Sequence, residues 1–157
     1  MKTFWTAVVI AATFVAQSAQ AADTPQAWLP DAIPWQAQGA KGTRFALLEG
    51  VRDQSFVPFS YAFAIPAGVW DGPHSHSATA RVFVAKGVLK IGYGTRFDAA
   101  ELRAYPAGSY VIVPAGTVHF DGSDVDTVII GTAVGPWSTT YFDGSLPASA
   151  GTPAKPH

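Results

Sequence analysis

Cysteine is absent from this 157-residue chain, and methionine occurs once. Without thiols there is no disulfide framework, no thiolate metal ligand and no cysteine nucleophile, so stability must come from an apolar core, aided by metal and subunit contacts. Charge is also scarce. Asp, Glu, Lys and Arg make up 13% of the residues and sum to −1, which gives no basic footprint for nucleic acid or an anionic membrane. Long hydrophobic runs are missing too. The apolar stretch from Phe4 to Ala16 falls well short of the roughly 20 residues a spanning helix needs. Placed behind Met1-Lys2 and ahead of Ala19-Gln20-Ala21, it has the layout of a secretory leader. That layout predicts cleavage after Ala21, a periplasmic or secreted protein, and no membrane contact after cleavage. Losing Lys2 with the leader changes the net charge from −1 to −2. The leader has no Arg-Arg pair, so export of an unfolded chain is expected, with any metal acquired outside the cytoplasm. G-x-S-x-G elbows and Gly-rich phosphate loops are absent, which argues against a serine hydrolase or a nucleotide enzyme.

Short apolar runs punctuated by Gly and Pro fill the rest. Residues 22–42, with Trp28 and Trp35, read as an extended arm whose indoles pack onto the domain. Residues 43–143 read as the domain itself, and 144–157 as a loose Pro/Ala/Ser/Gly tail. Runs rich in Val, Ile, Thr, Tyr and Phe predict strands over 44–49, 57–65, 80–85, 88–93, 109–113, 117–120, 125–134 and 138–142. About eight or more antiparallel strands at this spacing predict an all-β sandwich, barrel or jelly roll. Asp98, with Glu101 three residues later, predicts one short helical turn within 97–103.

Three of the four histidines fall in two short blocks, and the fourth is the last residue, His157. His74 and His76 are two apart, so on a strand they project to one face. His119 follows a Pro/Gly-bounded strand and offers a third imidazole. Three imidazoles on one face suit a divalent transition metal such as Fe, Zn, Cu, Ni or Mn. Tyr93 shares the parity of Leu89 and Ile91, which makes it a candidate interior general acid, although such a tyrosine is more often core. Trp70 and Trp137 are candidates for a pocket rim. The alternating row Phe59, Tyr61, Phe63 and Ile65 predicts a sheet face packed on a partner sheet or subunit.

The two blocks resemble the motifs of the cupin superfamily. The first motif, G-x5-H-x-H-x3,4-E-x6-G, is matched by Gly68, His74, His76 and Gly87. The second, G-x5-P-x-G-x2-H-x3-N, is matched by Gly108, Pro114, Gly116 and His119, with Ser123 in place of the Asn. The resemblance implies a single cupin-type β-barrel and His74, His76 and His119 as metal ligands. It also implies a small-molecule substrate or ligand, and a homodimer paired through sheet edges or faces. The chain departs from the motif at the acidic ligand, which falls on Ala80, or on Arg81 if the strand carries an extra residue. Parity turns Ala80 inward and Arg81 outward unless a bulge intervenes. Asp71, Asp121 and Glu101 are the acids near enough in sequence to lend an oxygen, with Asp71 more naturally a turn former beside Gly72-Pro73 or a partner of a ligand histidine.

Three-histidine cupins include oxygen-activating enzymes, so the leading expectation is an exported dioxygenase acting on a small organic substrate. Redox-neutral zinc-type lyase, isomerase or hydrolase chemistry, and metal or ligand binding without catalysis, stand as alternatives. The compartment favours Zn or Cu at an all-nitrogen site by the Irving–Williams order, while the resemblance favours iron.

Overall fold

Alternation is plainest in the strand Ala80–Lys86, where Ala80, Val82 and Val84 are buried and Arg81, Phe83 and Ala85 face outward. A strand needs this period of two to cover one face and leave the other in water. The computed structural model describes residues 25–37 and 42–142, and strands of this kind make up most of it. In chain order they are β1 (Gln36–Ala37), β2 (Arg44–Gly50), β3 (Pro58–Ile65), β4 (Val69–His76), β5 (Ala80–Lys86) and β6 (Val88–Tyr93). There follow β7 (Arg103–Pro106), β8 (Tyr110–Val113), β9 (His119–Ser123), β10 (Thr127–Val134) and β11 (Thr139–Tyr141). They form a six-stranded sheet in the order β1-β2-β3-β10-β5-β8 and a five-stranded sheet in the order β11-β4-β9-β6-β7. All the pairings are antiparallel.

The two sheets share a core in which Val82 and Val84 of β5 meet Leu89 and Ile91 of β6, Val111 of β8 and Ile129 of β10. A second cluster, Phe45, Phe59, Tyr61 and Ala133, adjoins it through Phe63 and Trp137. The predicted aromatic row on β3 is therefore a packed face. Burying each such side chain contributes roughly 1.5–3 kcal/mol. Tyr61 lies across from Gly131 of β10, where any Cβ would overlap its ring.

Differences from the sequence expectations cluster where local signals compete. Asp71-Gly72-Pro73, expected as a turn, lies instead within β4, the strand that carries His74 and His76. β7 was not predicted, and β9 starts at His119 and runs on to Ser123. The helical turn is a 3₁₀ turn over Ala99–Glu101, capped as expected by the Asp98 carboxylate accepting from the Ala100 N–H. In the described part of the arm, Trp28 donates its indole N–H to the Leu48 carbonyl, and Trp35 lies under the Arg44 guanidinium. The expected leader (1–21), the expected tail (144–157) and His157 lie outside the described residues. No described helix is long and apolar enough to cross a membrane.

Candidate metal centre

β4 and β9 are neighbours in the five-stranded sheet, and their register sets the site. Pairing runs Val69 to Ser123, Trp70 to Gly122 and Asp71 to Asp121, then resumes at His74 and His119. Between the last two pairs β4 advances three residues and β9 two, so Gly72-Pro73 form a β-bulge. Pro73 has no N–H to give to a ladder, which makes this the natural place for pairing to break. The bulge has a chemical consequence. Asp71 and His74 are three apart and would face opposite sides of a regular strand, yet both now share a face with His119 and Asp121. Asp71 is thus a strand residue beside a histidine, not a turn former.

The structure brings His74, His76 and His119 together as their spacing predicts. Candidate ligand atoms of the three lie within 4.8 Å of one another. Ring centroids are 4.2 Å apart for His74 and His119, 4.8 Å for His74 and His76, and 5.2 Å for His76 and His119. His74 and His119 are almost fully buried. Each ring is held by its Nδ1. His74 Nδ1 lies 2.7 Å from the Gly72 carbonyl and His119 Nδ1 lies 3.0 Å from the Thr117 carbonyl. A carbonyl oxygen can only accept, so these nitrogens carry the proton and Nε2 keeps its lone pair. His76 Nδ1 lies 3.1 Å from the Thr139 hydroxyl, which can accept in the same way. Three imidazoles with Nδ1 tied back and Nε2 free are the arrangement metal-binding histidines need. Imidazole nitrogens on one ion at about 2.0–2.1 Å sit about 3.0–3.4 Å apart, so the nitrogens need to close by no more than about 1.8 Å. The residues therefore fit a divalent metal.

Burial, then the neighbouring rings, depress His76 and His119. His76 is pushed down to about 2, chiefly by loss of solvent and next by the charges of His74, His119 and Arg52. His119 is lowered by burial and by His74, against the opposing pull of Asp121 and the Thr117 carbonyl. Both are neutral at physiological pH, the form a metal requires.

β11 completes the surround. It pairs with β4 so that Thr139 lies across from His76 and Tyr141 across from His74. Thr139 ties back one ring. The Tyr141 hydroxyl donates to Asp71 Oδ2 at 3.2 Å, its ring centroid 5.4 Å from that of His74. Burial raises the Asp71 carboxyl to about 6, against the lowering effect of His74, and its Oδ1 is buried without a hydrogen-bond partner. Tyr141 is raised in turn by burial and by Asp71. Trp137 packs against His76 with ring centroids 4.2 Å apart and does line the site. Trp70 does not line it, because it packs edge-on against Phe97 on the outer side of β9, where Phe97 also covers Phe120.

The remaining sequence candidates are also placed. Tyr93 is paired directly with His119, at the open end of β6, and is 43% exposed. Leu89 and Ile91 on the same strand are buried, so Tyr93 stands at the rim and not in the interior. Burial still raises its hydroxyl somewhat. Ala80 is inward and 4% exposed, Arg81 is outward, and β5 pairs with β8 through both positions without a bulge. Glu101 sits exposed in the 3₁₀ turn and is not among the residues that converge with the histidines. Ser123, where the second motif has Asn, is fully buried and donates to the Val88 carbonyl at 2.7 Å while accepting from the Val125 N–H. It closes the turn between β9 and β10. Thr139 and Tyr141 are the site residues that sequence reasoning missed. Their only signal was membership of a predicted closing strand.

Residues 24–138 match the family model described as the ChrR cupin-like domain. No curated protein sequence matches the chain. Among solved structures, the chain is similar to an RmlC-like cupin from Shewanella frigidimarina at 14% identity and a TM-score of 0.57, covering 73% of this chain and 93% of that one. It is similar to the polyketide cyclase RemF from Streptomyces resistomycificus at 15% identity and a TM-score of 0.56, covering 71% and 80%. A mutant salicylate 1,2-dioxygenase from Pseudoaminobacter salicylatoxidans in complex with gentisate gives 12% identity and 0.56, covering 69% of this chain and 31% of that one. These likenesses are of fold. The family match spans most of the sequence, both motifs lie within it, and the three histidines converge as the motifs require: the chain belongs to the ChrR cupin-like family and is a single-domain cupin whose three-histidine group can hold a metal ion.

Proposed function

We propose that this protein is an exported, metal-dependent dioxygenase acting on a small organic substrate at His74, His76 and His119. The observation that carries this is the convergence of three imidazoles from two adjacent strands, each with Nδ1 tied back. Because both strands belong to one sheet, the three imidazoles approach from one side. A redox-active divalent metal held there would supply sites at which substrate and dioxygen meet. The chain's own residues keep His76 and His119 neutral by burial, fix the tautomers of the three rings, and wall the site with Trp137, which packs on the Phe59–Tyr61 cluster. The gentisate complex of the salicylate 1,2-dioxygenase supports a small aromatic acid as a substrate class worth testing.

A redox-neutral reading is favoured by one observation. Asp71, raised to about 6 and hydrogen-bonded to Tyr141, can hold or release a proton near neutral pH beside His74. The two readings separate cleanly. Protein loaded anaerobically with Fe(II) should consume dioxygen in step with loss of one member of a panel of small aromatic acids and diketones, and His119→Ala protein should not. Turnover of the panel by Zn(II)-loaded protein without dioxygen would overturn the oxygenase assignment in favour of acid–base chemistry at Asp71. Export is tested by the intact mass of protein secreted from a bacterial host, which should start at Ala22, give or take a residue. A product retaining residues 1–21 in a membrane fraction would refute it.

A further inference from the structure

The first cupin motif draws its acidic ligand from the strand that is β5 here, and this chain has none there. Ala80 presents a methyl to the apolar cluster and Arg81 faces solvent. A carboxylate nevertheless lies beside the imidazole nitrogens. Asp121 Oδ2 is 3.9 Å from His74 Nε2 and 3.8 Å from His119 Nε2. We infer that Asp121 is the fourth protein ligand of the metal, its carboxylate supplied from β9 and not from β5. The inference rests on metal binding by the three histidines and goes beyond it by completing the donor set.

The local geometry explains why this residue can serve. Asp121 follows His119 by two on one strand, so both project to the same face. The centre is then built from two such pairs on adjacent strands, His74 with His76 and His119 with Asp121. A carboxylate oxygen and an imidazole nitrogen on one ion stand about 3.0–3.5 Å apart, so Asp121 needs to close by less than about 1 Å on His74 and on His119. Asp71 cannot take this place as it stands. Its Oδ2 lies 3.7 Å from His74 Nδ1, the nitrogen on the far side of the ring from Nε2, and already accepts the Tyr141 hydroxyl. The two acids thus bracket His74, Asp71 behind it and Asp121 in front.

A carboxylate among the ligands alters metal preference. Three neutral imidazoles favour Zn and Cu, whereas an added hard, anionic oxygen favours Fe(II) and Mn(II). The test compares wild type with Asp121→Asn, which keeps size and shape, using Mn(II) and Zn(II) calorimetry and the visible spectrum of Co(II)-loaded protein. Asp121→Asn should bind Mn(II) at least about 10-fold more weakly, lose less affinity for Zn(II), and shift the Co(II) spectrum. Its metal-free melting temperature should stay close to wild type, which separates lost ligation from lost folding. Wild type that binds metal while Asp121→Asn binds it equally well, with an unchanged Co(II) spectrum, overturns the assignment and leaves the histidines intact. Weaker binding with an unchanged Co(II) spectrum also overturns it, because Asp121 would then act only as a nearby charge. Wild type that binds no metal refutes the three-histidine reading itself.

Discussion

Acid should destabilise the metal-free protein through His76, and the structure sets both the sign and the size. The His76 imidazole is pushed to about 2 in the folded chain, mainly by burial, against about 6.5 when unfolded. Between those values the unfolded chain binds the extra proton and the folded chain does not. Stability from this group is therefore full above about pH 6.5 and is lost as the pH falls toward 2, at about 1.4 kcal/mol per pH unit. Taking the protein from pH 7.5 to 4.5 removes about 2.7 kcal/mol through His76 alone. His119, lowered in the same direction, adds to the loss. Asp71 opposes it, because its carboxyl is raised to about 6 from 3.8; its contribution is full below 3.8 and is lost as the pH rises through 6. The assay is urea unfolding of chelator-treated wild type and His76→Ala at several pH values. The stability difference between them should change by roughly 2–3 kcal/mol between pH 7.5 and 4.5, the wild type losing more on acidification. Parallel pH profiles for the two proteins would refute the claim that His76 is buried neutral beside its neighbours.

Metal stoichiometry provides a second check. Wild type and His157→Ala should hold one divalent metal per chain, whereas His119→Ala should hold none. Saturating metal at about 100 times its Kd stabilises a fold by about 2.7 kcal/mol, so wild type should gain several degrees in melting temperature over its chelated form. His119→Ala should gain nothing, and full occupancy in it would remove the basis of the centre.

The barrel was legible in the sequence because its strands alternate and its two motifs carry their own spacing. Ala80 faces inward and Arg81 outward, as parity required, since β5 and β8 pair without a bulge. The same rule put His74 and His76 on one face, and the resemblance to the second motif added His119. What escaped was set by contacts distant in sequence. Asp71-Gly72-Pro73 has the local chemistry of a turn, and only pairing with β9, some fifty residues later, makes it a bulged strand. Thr139 and Tyr141 reach their partners across separations of 63 and 70 residues, respectively, which local composition cannot reveal. Tyr93 departs from the expected interior placement through its position along the strand, not through its face. It shares the inward face of Leu89 and Ile91 but sits where β6 opens to solvent. The two tryptophans proposed for the rim divide because Trp137 follows β10 back toward His76, whereas Trp70 lies on β4 with its ring turned to the outside against Phe97.

Ala80→Glu tests where the centre obtains its negative charge. Ala80 is nearly fully buried among Val82, Val113 and other apolar side chains, so a carboxyl placed there loses its water without gaining a donor. In the metal-free protein that should cost about 1–3 kcal/mol, with the new group protonated near neutral pH. Were the centre three imidazoles alone, the added carboxylate would complete it and tighten Mn(II) binding. With Asp121 already in place, a second carboxylate meets a filled position and a like charge, and Mn(II) affinity should not rise. In the Asp121→Asn background that obstacle is gone, so Ala80→Glu should recover part of the Mn(II) affinity the single variant lost. Tighter Mn(II) binding by more than about 10-fold in Ala80→Glu alone, with Asp121→Asn indistinguishable from wild type, would show that the centre lacks a carboxylate. The pattern of the two single variants and their combination therefore decides between a vacant ligand position on β5 and one filled from β9.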